Sequence, residues 1–114
     1  MRRLVITAQA RADVRAVLRE SRLKFGPLAR ARYRHLIEAA YRDLAENPAR
    51  PGVAMLADIA ADLRLYPIRH SNARVPAPDR VGHPRHVIAF RFDETKVEIV
   101  HLLHDSMDVP GRLG

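Results

Sequence analysis

The stretch VEIVHLLHDSMDVP, Val97–Pro110, decides the fold, because an apolar run leads directly into a polar ending. Both faces of Val97–His104 carry apolar residues, which is typical of a strand with neighbours on both sides. On a strand, His101 and His104 point to opposite faces and cannot share a metal ion unless the strand ends between them. We therefore predict a central strand, and neither a metal site nor a cofactor.

A second strand precedes this one at a short distance. RHVIAFRF, Arg85–Phe92, is rich in β-branched and aromatic residues, and the tight turn Asp93–Lys96 follows it. Two such runs around a short turn predict a β-hairpin.

A third strand is predicted from LRLYPIRH, Leu63–His70, because apolar and polar residues alternate there. Pro67 has no backbone N–H to donate to a neighbouring strand, so we expect this strand to lie at a sheet edge or to contain a bulge at that point. Val53–Asp62 before this strand predicts mostly irregular chain. Ser71–Pro84 after it is rich in proline, glycine and charge, and predicts an irregular insertion between strands.

The first half of the chain predicts a short strand and two helices. RLVIT, Arg3–Thr7, is β-branched, and Thr7 is suited to cap the helix Ala8–Phe25. Pro27 starts a second helix, which Asn47-Pro48 ends. The apolar residues of this second helix form one stripe that includes Tyr33 and Tyr41, so both tyrosines are predicted to lie in the core. The chain is therefore predicted to be one α+β domain over residues 1–114, in the order β-α-α-β-β-β, with an antiparallel sheet against a two-helix hairpin.

The composition narrows the function classes. The chain has 20 basic residues, of which only Lys24 and Lys96 are lysine, and a net charge of +7, which attracts acidic partners. It has no cysteine, so disulfides and thiolate chemistry are excluded. No apolar run is long enough for a membrane span or a signal peptide, and we expect a cytoplasmic protein. Because the arginines are scattered and no helix-turn-helix or ribbon motif appears, we expect no sequence-specific DNA binding.

The predicted order of elements resembles the ParE/RelE superfamily of toxins from type II toxin–antitoxin systems, and the ParE-like branch most closely. Three stretches carry the resemblance: LVITAQARADVRAV, the Leu63-Arg64 strand continuing to RHVIAFRF, and the ending VEIVHLLHDSMDVP. The resemblance implies a non-enzymatic toxin that binds and blocks DNA gyrase. It also implies a cognate ParD-like antitoxin, a ribbon-helix-helix protein whose acidic C-terminal segment wraps the toxin in a hetero-oligomer.

Candidate binding residues follow from this resemblance and from the charge pattern. For the antitoxin we predict the arginines of the first helix and one strand: Arg11, Arg15, Arg19, Leu63, Leu65 and Ile68. For the target we predict the end of the last strand and nearby arginines: Arg85, Arg91, His104, Asp108 and Leu113.

A RelE-like endoribonuclease that cleaves messenger RNA on the ribosome is the alternative, and its catalytic groups are then Arg64, Arg85 and His104. Against it, Asp105 opposes a phosphate, and no tyrosine stands at positions 108–111. A third hypothesis is a family member that retains only antitoxin binding and operon autoregulation.

Overall fold

The strands and helices follow the predicted order, with one short strand added. The computed structural model describes residues 1–55 and 62–105. Its elements are β1 (Arg3–Ile6), α1 (Ala8–Phe25), α2 (Pro27–Glu46), β2 (Ala54–Met55), β3 (Arg64–Pro67), two 3₁₀ helices (Ile68–Arg74 and Ala77–Asp79), β4 (His86–Phe92) and β5 (Lys96–His104). Within the described residues, no helix is long and apolar enough to cross a membrane.

The sheet has five strands in the order β1-β5-β4-β3-β2. This confirms the α+β fold and the central position of the strand that ends at His104. β4 pairs with both β5 and β3 in antiparallel fashion, whereas β1 lies parallel to β5. The sheet is therefore mixed, and the prediction of a fully antiparallel sheet is corrected. The other side of β5 is taken by the β4 hairpin, so the first strand can join β5 only along its remaining edge.

The expected edge strand at Leu63–Ile68 needs two corrections. β2 pairs with Leu65 and Arg64, so β3 lies one strand inside the edge over those residues. The strand also ends at Pro67, and Ile68 already begins a 3₁₀ helix. Leu63 is 3% exposed and Ile68 is 0% exposed, so both side chains belong to the interior rather than to a binding surface.

The helical hairpin packs its apolar stripe against one face of the sheet. Thr7 caps α1 as predicted, because its hydroxyl accepts the Ala10 N–H at 3.1 Å. Gly26 separates the helices with φ +93°, a left-handed conformation that favours glycine. Phe25, the last residue of α1, is 75% exposed beside this turn. The core members are Ala10, Leu18, Tyr33, Leu36, Ile37, Ala39, Ala40, Tyr41, Leu44, Tyr66, Ile68, Val75, Ile88, Phe90, Val97, Ile99 and Leu102, so the core positions predicted for Tyr33 and Tyr41 are confirmed.

A β-bulge in β5 is stabilised by the start of α1. β4 pairs Phe90 with Ile99 but Ala89 with His101, so Val100 is an extra residue on β5. β1 ends opposite Ile99, and beyond that point α1 takes its place. The Thr7 hydroxyl donates to the Val100 carbonyl at 3.1 Å, and the Asp13 carboxylate accepts the Leu102 N–H at 3.0 Å. Backbone groups that no strand pairs are therefore satisfied by two helix side chains.

The predicted insertion Ser71–Pro84 is more regular than expected. It contains the end of the first 3₁₀ helix and all of the second. Its proline-rich composition excludes long elements but is compatible with short 3₁₀ turns.

A buried carboxylate, Asp43 of α2, fixes this insertion to the helices. Asp43 is 3% exposed and accepts the Ser71 hydroxyl at 2.6 Å. Arg50 and Arg74 lie 3.0 Å and 2.9 Å from its two oxygens, and Tyr66 hydrogen-bonds Ser71 at 2.7 Å. Sequence reasoning gave no sign of this network, because its members are far apart in the chain.

We predict that Asp43→Asn lowers the free energy of unfolding by about 2–3 kcal/mol, because Arg50 keeps a largely buried charge without its anion. Glu38→Gln is the matched control: it breaks an exposed ion pair with Arg34 on the same helix and should cost no more than about 0.5 kcal/mol. Urea unfolding of both variants measures the difference. If both variants lost the same free energy of unfolding, the buried Asp43 network would stabilise the fold no more than an exposed ion pair does.

Candidate functional site

A stripe of three arginines runs along the exposed side of α1. Arg11, Arg15 and Arg19 are all exposed, and their spacing of four residues places them on one face of the helix. Among the residues that the structure describes, none of the three forms an ion pair with a carboxylate. Like charges at this spacing repel by a few tenths of a kcal/mol per pair. The arginine stripe is therefore an exposed surface of uncompensated positive charge.

A second cluster lies where β4 begins and β5 ends. His86 and His104 are opposite each other in the sheet, and their rings meet edge to face with centroids 5.2 Å apart. Tyr33 of α2 reaches this pair, and its hydroxyl hydrogen-bonds Nδ1 of His86. The Arg85 N–H donates to the same hydroxyl at 3.3 Å. The cluster thus joins α2 to the end of the sheet.

Burial sets the protonation of this cluster. The Tyr33 hydroxyl accepts from the Arg85 N–H and shares a second hydrogen bond with Nδ1 of His86, in which either atom can be the donor. Burial, followed by the charge of His104, lowers the pKa of His86 to about 4. Burial raises the pKa of Tyr33 to about 12. Both side chains are therefore neutral near pH 7, where a general acid or base is expected to titrate.

The cluster opens into a groove of about 600 Å³ between α1, α2 and the segment that precedes β4. We call it the histidine groove. Its apolar lining comes from Val17, Phe25, Ala29, Tyr33 and Val81, and its polar lining from Glu20, Ser21, Lys24, Arg32, Arg80, His83, Arg85, His86 and His104. The groove therefore combines an apolar floor with an excess of positive charge.

A protein-family model for the ParE toxin of the type II toxin-antitoxin system, parDE, matches residues 4–109. The chain belongs to the ParE toxin family. No curated protein sequence matches it. The match spans both helices and the strands of the sheet, so the resemblance seen in the sequence is confirmed. Family membership identifies the chain as the toxin of a type II system, with an antitoxin as its partner.

In this ParE toxin, only part of the predicted target surface comes together. Arg85 and His104 lie side by side at the histidine groove. Arg85 also holds Asp105, with Nε 3.1 Å from the carboxylate, and the hydrogen bond from Arg85 lowers the pKa of Asp105. Arg91 is at the far end of β4, roughly 20 Å from Arg85 at the rise of a strand. Asp108 and Leu113 lie outside the described residues.

The catalytic set of the RelE-like alternative is not assembled at one place. Arg64 pairs with Phe90 in the sheet and stacks over the Phe92 ring at 4.7 Å. That position is at the opposite end of β4 from Arg85. Among residues 1–55 and 62–105, no group of three or more metal-ligating side chains was found either.

Sequence reasoning missed Tyr33 and His86 as members of the site. Tyr33 is 8% exposed and was correctly placed in the apolar stripe, but its hydroxyl reaches beyond the core. A buried tyrosine commonly needs a partner for that hydroxyl, and this is the signal that was available. His86 gave no such signal, because only the fold brings it next to Tyr33.

We predict that His86 titrates with a pKa near 4, far below its ordinary value of 6.5. The unfolded chain then binds the extra proton between pH 6.5 and about 4, so stability falls as the pH falls through this window. Allowing for solvent screening at a partly exposed ring, the loss from pH 7.5 to pH 5 is about 1 kcal/mol.

Histidine ring signals followed by NMR give the midpoint, with His86→Gln to assign the resonance. Urea unfolding at both pH values should show a shallower pH dependence in His86→Gln than in the parent. A midpoint between pH 6 and pH 7 contradicts the neutral Tyr33–His86 pair.

Proposed function

We propose that this ParE toxin inhibits DNA gyrase by stoichiometric binding in the cytoplasm, without catalysis. The observation that carries the proposal is the neutral Tyr33–His86 pair beside Arg85, whose charge is already matched by Asp105. Tyr33 and His86 both stay neutral near pH 7, so neither of them is poised to exchange a proton there. This arrangement supports recognition of a partner rather than cleavage of a phosphodiester.

The target surface in this proposal is the end of the sheet at Arg85 and His104. The C-terminal segment with Asp108 and Leu113 follows β5 directly in sequence, and we assign it to the same surface. Arg91 contacts Glu98 and Asp62 at 3.4 Å each, so its charge is engaged within the toxin. We therefore assign Arg91 a lesser part in target binding.

The antitoxin is assigned to the arginine stripe of α1 and to the β2 edge of the sheet. A ParD-like antitoxin with an acidic C-terminal segment matches the arginine stripe in charge, which raises the association rate and selects the register. Because Leu63 and Ile68 are buried, Leu65 is the member of the predicted strand with an accessible side chain. The short strand β2, with Met55 57% exposed, gives an edge to which an extended segment can add.

We predict that the purified toxin inhibits gyrase supercoiling and does not cleave messenger RNA on translating ribosomes. Replacing Arg85 and His104 together by alanine should raise the concentration for half-inhibition by about tenfold or more, because each removes polar contacts at the centre of the surface. Arg34→Ala is the control, since Arg34 is exposed on α2 with a partner in Glu38. Cleavage of messenger RNA without any effect on gyrase would sink this proposal in favour of the RelE-like alternative.

We also predict that Arg11→Gln, Arg15→Gln and Arg19→Gln combined weaken binding of the cognate antitoxin by about 10–100-fold, mainly through a slower association rate. The salt dependence of binding should weaken as well. A triple variant at three other exposed arginines, Arg34, Arg42 and Arg69, has the same net charge and serves as the control.

Stopped-flow or biolayer measurements with the antitoxin encoded beside the toxin give both rates. If the two triple variants lose affinity equally, the effect belongs to net charge and the stripe is not the antitoxin surface.

A further inference from the structure

Two of the four basic side chains in the histidine groove are neutralised by neighbours, and two are not. Lys24 pairs with Glu20 at 2.6 Å, and Arg85 pairs with Asp105 at 3.1 Å. Arg32 and Arg80 have no carboxylate within ion-pair distance in the part of the chain that the structure describes. The groove therefore carries two uncompensated guanidinium charges.

Arg80 is held in place by neutral groups. Its Nε donates to the Val75 carbonyl at 2.9 Å, and one terminal nitrogen donates to the Ala73 carbonyl at 3.1 Å. A guanidinium has five N–H donors, so three of them remain for another acceptor. The two carbonyls fix the position of the charge, which lowers the entropy lost when a ligand binds.

Arg32 of α2 also lines the groove. Its Nε is buried and has no hydrogen-bond partner. A buried polar group without a partner costs about 1–3 kcal/mol, and more when it is charged. Because this Nε is closed to a ligand, Arg32 offers the groove an uncompensated positive charge, which an anion balances.

The remaining lining complements an anion with a planar group attached. His86 lines the groove with a ring whose Nδ1 is occupied by the Tyr33 hydroxyl, so that Nε2 is the ring nitrogen left for a ligand. Phe25 lines the same groove and is 75% exposed. An exposed aromatic ring beside arginines is the combination that stacks a nucleobase while its phosphate is held. The volume of about 600 Å³ accommodates a ligand of nucleotide size.

We propose that the histidine groove binds a nucleotide phosphate, with Arg32 and Arg80 on the phosphate oxygens and Phe25 against the base. The guanidinium fork matches phosphate geometry. The nucleotide is either free or one unit of a single strand, and contacts of this kind read no sequence. An acidic peptide is the competing occupant. The exposed Phe25 ring, which lines the same groove as Arg32 and Arg80, favours the nucleotide because a base can stack on it.

The test measures binding of four probes to the full chain: inorganic phosphate, adenosine monophosphate, a fluorescent ten-residue oligothymidylate and an acidic peptide. The parent should bind both nucleotide probes, more weakly at higher salt. Arg32→Gln combined with Arg80→Gln should weaken all binding by about tenfold or more, since two charged contacts are lost. Arg34→Gln combined with Arg42→Gln has the same charge and should remain within about twofold of the parent.

Phe25→Ala keeps the test valid if the arginine variant fails to fold, because Phe25 is exposed and contributes little to the core. It should weaken binding of both nucleotide probes by about fivefold or more and leave inorganic phosphate unchanged. Much tighter binding of the oligonucleotide than of the mononucleotide identifies a nucleic-acid strand as the source; equal affinity identifies a free nucleotide.

Three results overturn the proposal. They are no binding of any nucleotide probe at millimolar concentration, equal losses in the two double-arginine variants, and binding of an acidic peptide alone.

Discussion

The extra residue in β5 is the constraint on which the end of the sheet at His86 and His104 depends. A hairpin without it pairs His86 with Leu103, because Phe92 pairs with Val97 after the turn. The bulge at Val100 shifts the remaining register by one residue, and a shift of one residue exchanges the two faces of a strand. His104 therefore comes to lie opposite His86 and on the same side.

The bulge in turn depends on the first helix. Thr7 and Asp13 occupy the edge of β5 beyond the end of β1 and satisfy the backbone at Val100 and Leu102. The second helix then brings Tyr33 onto the shifted pair. The site at the end of the sheet is thus assembled by helices that are adjacent in sequence to neither β4 nor β5. The arginine stripe lies on α1, the same helix that stabilises the bulge, but faces solvent.

Much of this fold follows from local patterns, and the exceptions have physical reasons. The helix ends at Thr7, Gly26-Pro27 and Asn47-Pro48 were predictable, because caps and breakers act within a few residues. Strand β2, with two residues, and the 3₁₀ helices are too short to show a periodic pattern of apolar residues, so the sequence does not predict them. The bulge and the Asp43 network depend on contacts between distant segments. Of the residues at the site, only Arg85 and His104 could be predicted from the sequence, because they lie at the two ends of the predicted hairpin. Tyr33 and His86 could not, because their contact depends on the β4–β5 register and on the packing of α2.

The central claim is that the toxin meets its target with the end of the sheet and leaves the arginine stripe free. Hydrogen exchange followed by mass spectrometry, on the toxin alone and with DNA gyrase in excess, tests it most directly. The account predicts slower exchange at residues 83–86 and 101–105 with gyrase, and unchanged exchange over residues 11–19. Slower exchange confined to residues 11–19, or no change anywhere in the toxin, would contradict it.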